Sequence, residues 1–298
     1  MTIQGPRKET LQTMNLPGLA LLRGLALLRG LALLCILLLL GGCEMGPAMF
    51  LGARDREISE STQAIQSARN DVERAKAYST RGAAYSEKAR YSRAFKLIPA
   101  DEYERLFDLA VKDHDEAVRL DPESADIYLN RGQAYYDRGA LDLLDNKNGK
   151  PWFDLAAANF EKATEKDPKN DSAFDRLGLT HEENGESDKA IRDYTQEMAL
   201  NPFGRQRLAD AYCSRGFHLQ QEKKYAAAVV EYQKSIEFGV ADDDVCPYQP
   251  YESLVAFYTT EMHQYDKAWD FVHLARESGV RIQPELVDKL KRNSGRTD

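Results

Sequence analysis

One lettering recurs along this chain and restricts its fold more than any other feature. Between Ala125 and Pro168 the sequence reads Tyr128-x-x-Arg131-Gly132-x-x-Tyr135, followed one connection later by Ala156-x-x-x-Phe160, Ala163 and Pro168. Tyr128, Gly132 and Tyr135 fall on one stripe of a 3.6-residue helix. That stripe needs a second helix. Ala156 and Ala163 are small enough to let two backbones approach while Phe160 fills the space beside the glycine. A mid-helix glycine gives up roughly 1 kcal/mol of helix propensity relative to alanine, and close packing is the reason to keep it.

The lettering returns upstream as Tyr78-x-x-Arg81-Gly82-x-x-Tyr85 with Ala110, Ala117 and Pro122, and downstream as Phe174-x-x-Leu177-Gly178-x-x-His181 with Ala190, Tyr194 and Pro202. A fourth copy is Tyr212-x-x-Arg215-Gly216-x-x-Leu219 with Ala228 and Tyr232, and a fifth survives as Tyr265-Asp266-Lys267-Ala268 with Ala275. The pattern resembles the tetratricopeptide repeat, a helix-turn-helix unit of about 34 residues. The resemblance implies an all-α, right-handed superhelical array of about five repeats, an α-solenoid. It places the repeats near 73–123, 124–169, 170–207, 208–246 and 247–279. A capping helix is expected over 55–72, with Ile58, Ala64, Ile65 and Ala68 as its apolar face, and a second cap and tail over 280–298, since open solenoid ends need covers. In repeats one and two the step from the A-helix aromatic to the B-helix alanine (Tyr85 to Ala110, Tyr135 to Ala156) is sixteen and twelve residues longer than in repeats three and four. The surplus predicts two lengthened hairpins on which Leu141, Leu143 and Leu144 meet Tyr103, Leu106 and Phe107, either supporting each other or forming a docking surface.

Residues 1–42 are a different object: Arg7 and Lys8, then leucine-rich text ending Leu40-Gly41-Gly42-Cys43. The uninterrupted apolar run Leu31 to Leu40 is short of the roughly 20 residues that span a bilayer and fits a signal-peptide core. The ending resembles a bacterial lipobox, which implies lipidation at Cys43, cleavage before it, and a tether over 43–54. An uncleaved anchor is the other reading, and Met14 is an alternative start. Glu44 after the cysteine, rather than aspartate, implies by resemblance to enterobacterial lipoproteins a place at the outer membrane, facing the periplasm.

The full chain of 298 residues carries 40 basic and 48 acidic side chains. Without residues 1–42 the balance is 36 to 47, which opposes binding to nucleic acid or to anionic lipid surfaces. The turn before Gly149 lacks a carboxylate at the first position of a calcium loop, where Leu144 would fall. His181-Glu182-Glu183 lacks the second histidine of a zinc-protease helix, and no Cys-x-x-Cys occurs. No nucleophile with its base, phosphate loop or carboxylate pair can be placed, so neither enzyme, metal nor cofactor is expected. His181 and His114 stand at packing positions of the repeat and read as structural residues.

The function that the resemblance implies is a protein-binding scaffold, with helix A positions two, five, nine, twelve and thirteen lining a groove. Carried over, these are Lys76, Ser79, Ala83, Ser86 and Glu87; Asp126, Leu129, Gln133, Tyr136 and Asp137; Ser172, Asp175, Leu179, Glu182 and Glu183; and Asp210, Cys213, Phe217, Gln220 and Gln221. The set lacks the Lys and Asn pair with which chaperone-binding members hold an acidic C-terminus. It is acidic, with apolar contacts at Leu129, Tyr136, Leu179 and Phe217, and predicts a basic partner segment with interspersed apolar residues. A structural subunit of an envelope assembly, or a regulator of peptidoglycan enzymes, are the alternatives. Cys213 and Cys246 fall toward the same end of neighbouring A helices, where they either form a disulfide or serve as small buried apolar residues.

Overall fold

The computed structural model describes residues 47–239 and 249–296; residues 1–46, with the leader and Cys43, and residues 240–248, with Cys246, lie outside them. Twelve α-helices and no strand are found among the described residues. They are α1 (Pro47–Ser67), α2 (Asp71–Ala94), α3 (Ala100–Leu120), α4 (Ala125–Leu144), α5 (Lys150–Lys166), α6 (Asp171–Glu183), α7 (Ser187–Leu200), α8 (Arg205–Gln221), α9 (Tyr225–Glu237), α10 (Pro250–Thr260), α11 (Tyr265–Glu277) and α12 (Pro284–Ser294). From α2 to α11 they pair into five consecutive hairpins, each packed on the next, with α1 against α2 and α12 against α10 and α11. The fold is the all-α superhelical array of repeats.

Each hairpin closes as the lettering requires. A methyl placed on Gly132 would lie 2.7 Å from Cε1 of Phe160, so the ring of α5 fills the space the glycine leaves on α4. Ala110, Ala156, Ala190, Ala228 and Ala268 are fully buried where the paired helices come closest. In repeats one, two and four the arginine of Tyr-x-x-Arg-Gly reaches across the hairpin. Arg81 donates two 2.7 Å bonds to Asp113, Arg131 donates to Asn159 (2.7 Å), and Arg215 donates to Glu231 (2.9 Å). Each guanidinium also lies over the tyrosine three residues earlier: Tyr78, Tyr128 and Tyr212 at 5.5, 5.6 and 5.4 Å. Repeat three has Leu177 at that place. There His181 Nδ1 sits 2.6 Å from Asp193, taking the arginine's part, and His181 is buried in the hairpin as its packing position predicts.

The surplus residues of repeats one and two lengthen their helices. α2 to α5 run 24, 21, 20 and 17 residues, against 13 and 14 for α6 and α7. The added turns form their own core of Ala89, Tyr103, Leu106, Phe107 and Leu141, with Leu144 partly buried against it. Asp145, just past α4, accepts from Arg93 of α2 and the Tyr103 hydroxyl of α3. Leu143 packs instead on the α4–α5 core. The two projections therefore brace each other.

The N-terminal cap differs from expectation. It begins at Pro47, taking in the second half of the expected tether, and ends at Ser67, before Ala68; Ala64 is exposed. Its attachment comes from the earlier turns: Phe50 stacks on Tyr91 with centroids 3.9 Å apart, and Arg54 pairs with Glu87 at 2.6 Å. Aromatic stacking at this end outweighs the weak alanine and isoleucine stripe further along.

Candidate partner-binding groove

The helix A positions divide into two groups. In the long repeats the chain's own side chains take most of them. Ser79 is buried and accepts from Asn130 (3.0 Å), and Glu87 is held by Arg54 of α1. In α4, Gln133 donates to Asp137 (2.8 Å), and Leu129 is partly buried against the α4–α5 core. Tyr136 and Asp137 are only 9% and 6% exposed. Tyr136 lies 5.5 Å from the Phe153 ring, and burial, opposed by Arg90, raises the Asp137 carboxyl above its ordinary range. Neither presents a surface to a partner: the extra turns of the long hairpins cover both.

Repeats three and four keep a more open and more acidic set. Asp175 of α6 pairs with Arg207 of α8 at 3.1 Å, and Asp210 of α8 accepts from Gln206 at 3.1 Å. Glu182 accepts from the Tyr194 hydroxyl (2.9 Å), as Gln220 does from Tyr232 (2.7 Å) one repeat later. This acidic position is thus a structural partner of the B-helix tyrosine. Leu179 and Phe217 are half-buried, Leu179 between two cores. Glu183 is half-buried and acts on Tyr136 electrostatically. Cys213 is fully buried and disulfide-bonded; the remaining cysteines, 35, 43 and 246, lie outside the described residues.

Sequence reasoning missed the feature between these repeats. Gly178 and Gly216 stand 38 positions apart, four more than the 34-residue unit, and that surplus was the available signal. It forms a single 3-10 turn, Pro202–Gly204, between α7 and α8. Beside it opens a pocket of about 450 Å³ lined by Asp171, Asp175, Glu197, Asn201, Arg207 and Asp210, among others. Burial pushes Glu197 up to about 7, aided by Asp175 and Asp171 and opposed by Arg207. Burial pushes Asp210 up to about 6 against the pull of Gln206 and Arg207. Glu182, behind them, is pushed to about 7 by burial, with the Tyr194 bond opposing and Asp210 adding. Among the described residues no three His, Cys, Asp or Glu side chains form a group that could hold a metal ion.

Two stretches match family models: residues 107–139 a TPR repeat, and residues 159–192 a tetratricopeptide repeat. These two stretches carry tetratricopeptide repeats. Similar solved structures include MamA (19% identity, over 65% of this chain and 95% of that one, TM-score 0.39). Another is YrrB, described as a TPR protein with an unusual peptide-binding site (17%, 71% and 86%, 0.37). A third is the C-terminal part of a TPR repeat-containing protein from Cytophaga hutchinsonii (20%, 82% and 98%, 0.42). Among curated proteins no sequence relative was found. Proteins built from such repeats generally mediate protein–protein interactions and are typically non-catalytic scaffolds.

Proposed function

We propose that this chain is a membrane-anchored periplasmic scaffold that holds a segment of a partner protein in the groove of its third and fourth repeats. The observation that carries the reading is the contrast at the last two groove positions of each A helix: Ser86, Tyr136 and Asp137 are buried in the long repeats, while Glu182, Glu183 and Gln220 are half-buried and Gln221 is exposed in repeats three and four, beside the half-buried Leu179 and Phe217. Carboxylates beside apolar side chains suit a basic and apolar segment. Leu40-Gly41-Gly42-Cys43 supports a lipid anchor, and a disulfide at Cys213, for which we propose Cys246 as partner, supports an oxidising compartment.

The test places a photo-crosslinking amino acid at Leu179 or Gln220 in cells, with Val230, exposed on α9, as the control position. A partner captured from the first two and not from Val230 is the expected outcome. Equal capture from all three, or none, sinks the groove reading. Cys43→Ala is expected to abolish incorporation of labelled fatty acid, and label retained in that variant would refute the anchor.

A further inference from the structure

The pocket between repeats three and four holds a carboxylate with one oxygen that no described residue satisfies. Glu197 of α7 is 7% exposed, makes no ion pair, and its Oε2 has no hydrogen-bond partner among the described residues. A methyl on Gly204 would lie 2.8 Å from its Oε1, so the 3-10 turn is pressed against this carboxylate and holds it in place. Leaving a buried acceptor unmade is unfavourable, and more so when it is charged. The other carboxylates of the pocket are already engaged. Asp171 accepts from Asn201 (2.8 Å) and the Ser172 amide (3.0 Å), Asp175 faces Arg207, and Asp210 takes Gln206. Arg207 is the only basic residue in the lining.

We propose that this pocket receives a lysine or arginine side chain of the partner polypeptide, its N–H groups donating to Glu197 with Asp171, Asp175 and Asp210 supplying the surrounding negative charge. The assignment rests on the scaffold reading and names the feature of the partner that the groove recognises. The volume lies within the ~300–1,000 Å³ range of ligand pockets. The carboxylates line the walls without converging as a metal-ligand group, which suits an elongated donor rather than a bare ion. Arg207 already holds a guanidinium beside Asp175 and competes with the incoming cation.

The pocket is tested with a fluorescein-labelled dodecapeptide of alternating leucine and lysine, and with versions carrying arginine, glutamine or glutamate in place of every lysine. Fluorescence anisotropy is read on the full-length protein at fixed ionic strength. The lysine and arginine peptides are expected to bind at least tenfold more tightly than the glutamine peptide. Glu197→Gln should remove about tenfold of that preference, the worth of one charge-assisted bond, without lowering the melting temperature. Arg207→Gln, a second variant on the far wall, should tighten the lysine peptide.

Equal binding of lysine and glutamine peptides, or full preference retained in folded Glu197→Gln, overturns the proposal. Displacement of the peptide by magnesium, beyond that by sodium at the same ionic strength, overturns it in favour of a metal site. Crosslinking from Leu179 separates the two ideas. Partner capture without lysine preference leaves the scaffold and removes the pocket; lysine preference through Glu197 without any captured partner does the reverse.

Discussion

At Gly178 an added methyl would sit 2.5 Å from the Tyr194 ring, at Gly132 2.7 Å from Phe160, and at Gly216 3.0 Å from Tyr232. Alanine would gain roughly 1 kcal/mol of helix propensity at each position, whereas overpacking costs typically 1–3 kcal/mol, so the sign depends on the gap. We expect Gly178→Ala to be the most destabilising, Gly132→Ala next, and Gly216→Ala close to neutral, measured by thermal unfolding with helical circular dichroism. A reversed order would mean the ring positions yield more readily than the backbones. His114 occupies the ring position in repeat one, fully buried, and neither ring nitrogen has a hydrogen-bond partner among the described residues. Burial, with Arg131 adding, pushes its pKa from 6.5 down to about 3. The unfolded chain therefore binds a proton that the folded one refuses, and stability falls with pH below 6.5, by up to ~1.4 kcal/mol per pH unit. His114→Phe, copying Phe160, should add about 1 kcal/mol at neutral pH and flatten that acid slope. An unchanged slope in urea unfolding between pH 4 and 7 would show that His114 does not control it.

The helical hairpin is the scale at which the sequence speaks most clearly, because four copies repeat one packing rule, a glycine on the first helix against a ring on the second. Gly132 against Phe160 follows from residue size alone, and so does the meeting of Leu141 with Tyr103, Leu106 and Phe107. Leu141→Ala should cost about 3 kcal/mol and destabilise repeats one and two together, since the site cannot collapse without moving both projections. Hydrogen exchange on α2 to α5 would check this, and loss of protection confined to α4 and α5 would contradict it. What was not legible arises where repeats deviate from one another. The extra helical turns bury Tyr136 and Asp137, which in a short repeat stand at groove positions. The arginine crossing repeats one, two and four needs its partner (Asp113, Asn159 or Glu231) to be recognised, and that partner stands at one repeat position, three residues after the B-helix alanine, but changes its residue type from copy to copy. Glu197 and Arg207 come from different repeats, brought together by an inserted turn that no repeat pattern contains.

Over the whole molecule, two pH effects oppose each other and act at different places. His114 weakens repeat one in acid. Glu182, Glu197 and Asp210 have folded pKa values raised above 4.5, 4.5 and 3.8, so the stability they lend by being protonated is present below about pH 4 and lost as pH rises through 6 and 7. All three lie where repeat three meets repeat four. In a linear array each repeat is coupled only to its neighbours, and cooperativity survives only as long as the weakest coupling does. At pH 5.5 calorimetry should give a single unfolding transition. At pH 8, with the three carboxylates charged, the chain should separate into two melting units, and Glu197→Gln with Asp210→Asn should restore one. The unsatisfied Glu197 thus has a thermodynamic consequence beyond recognition. A cation lodged beside it would link the two halves of the array, so that occupancy of one pocket is felt as rigidity from α2 to α12.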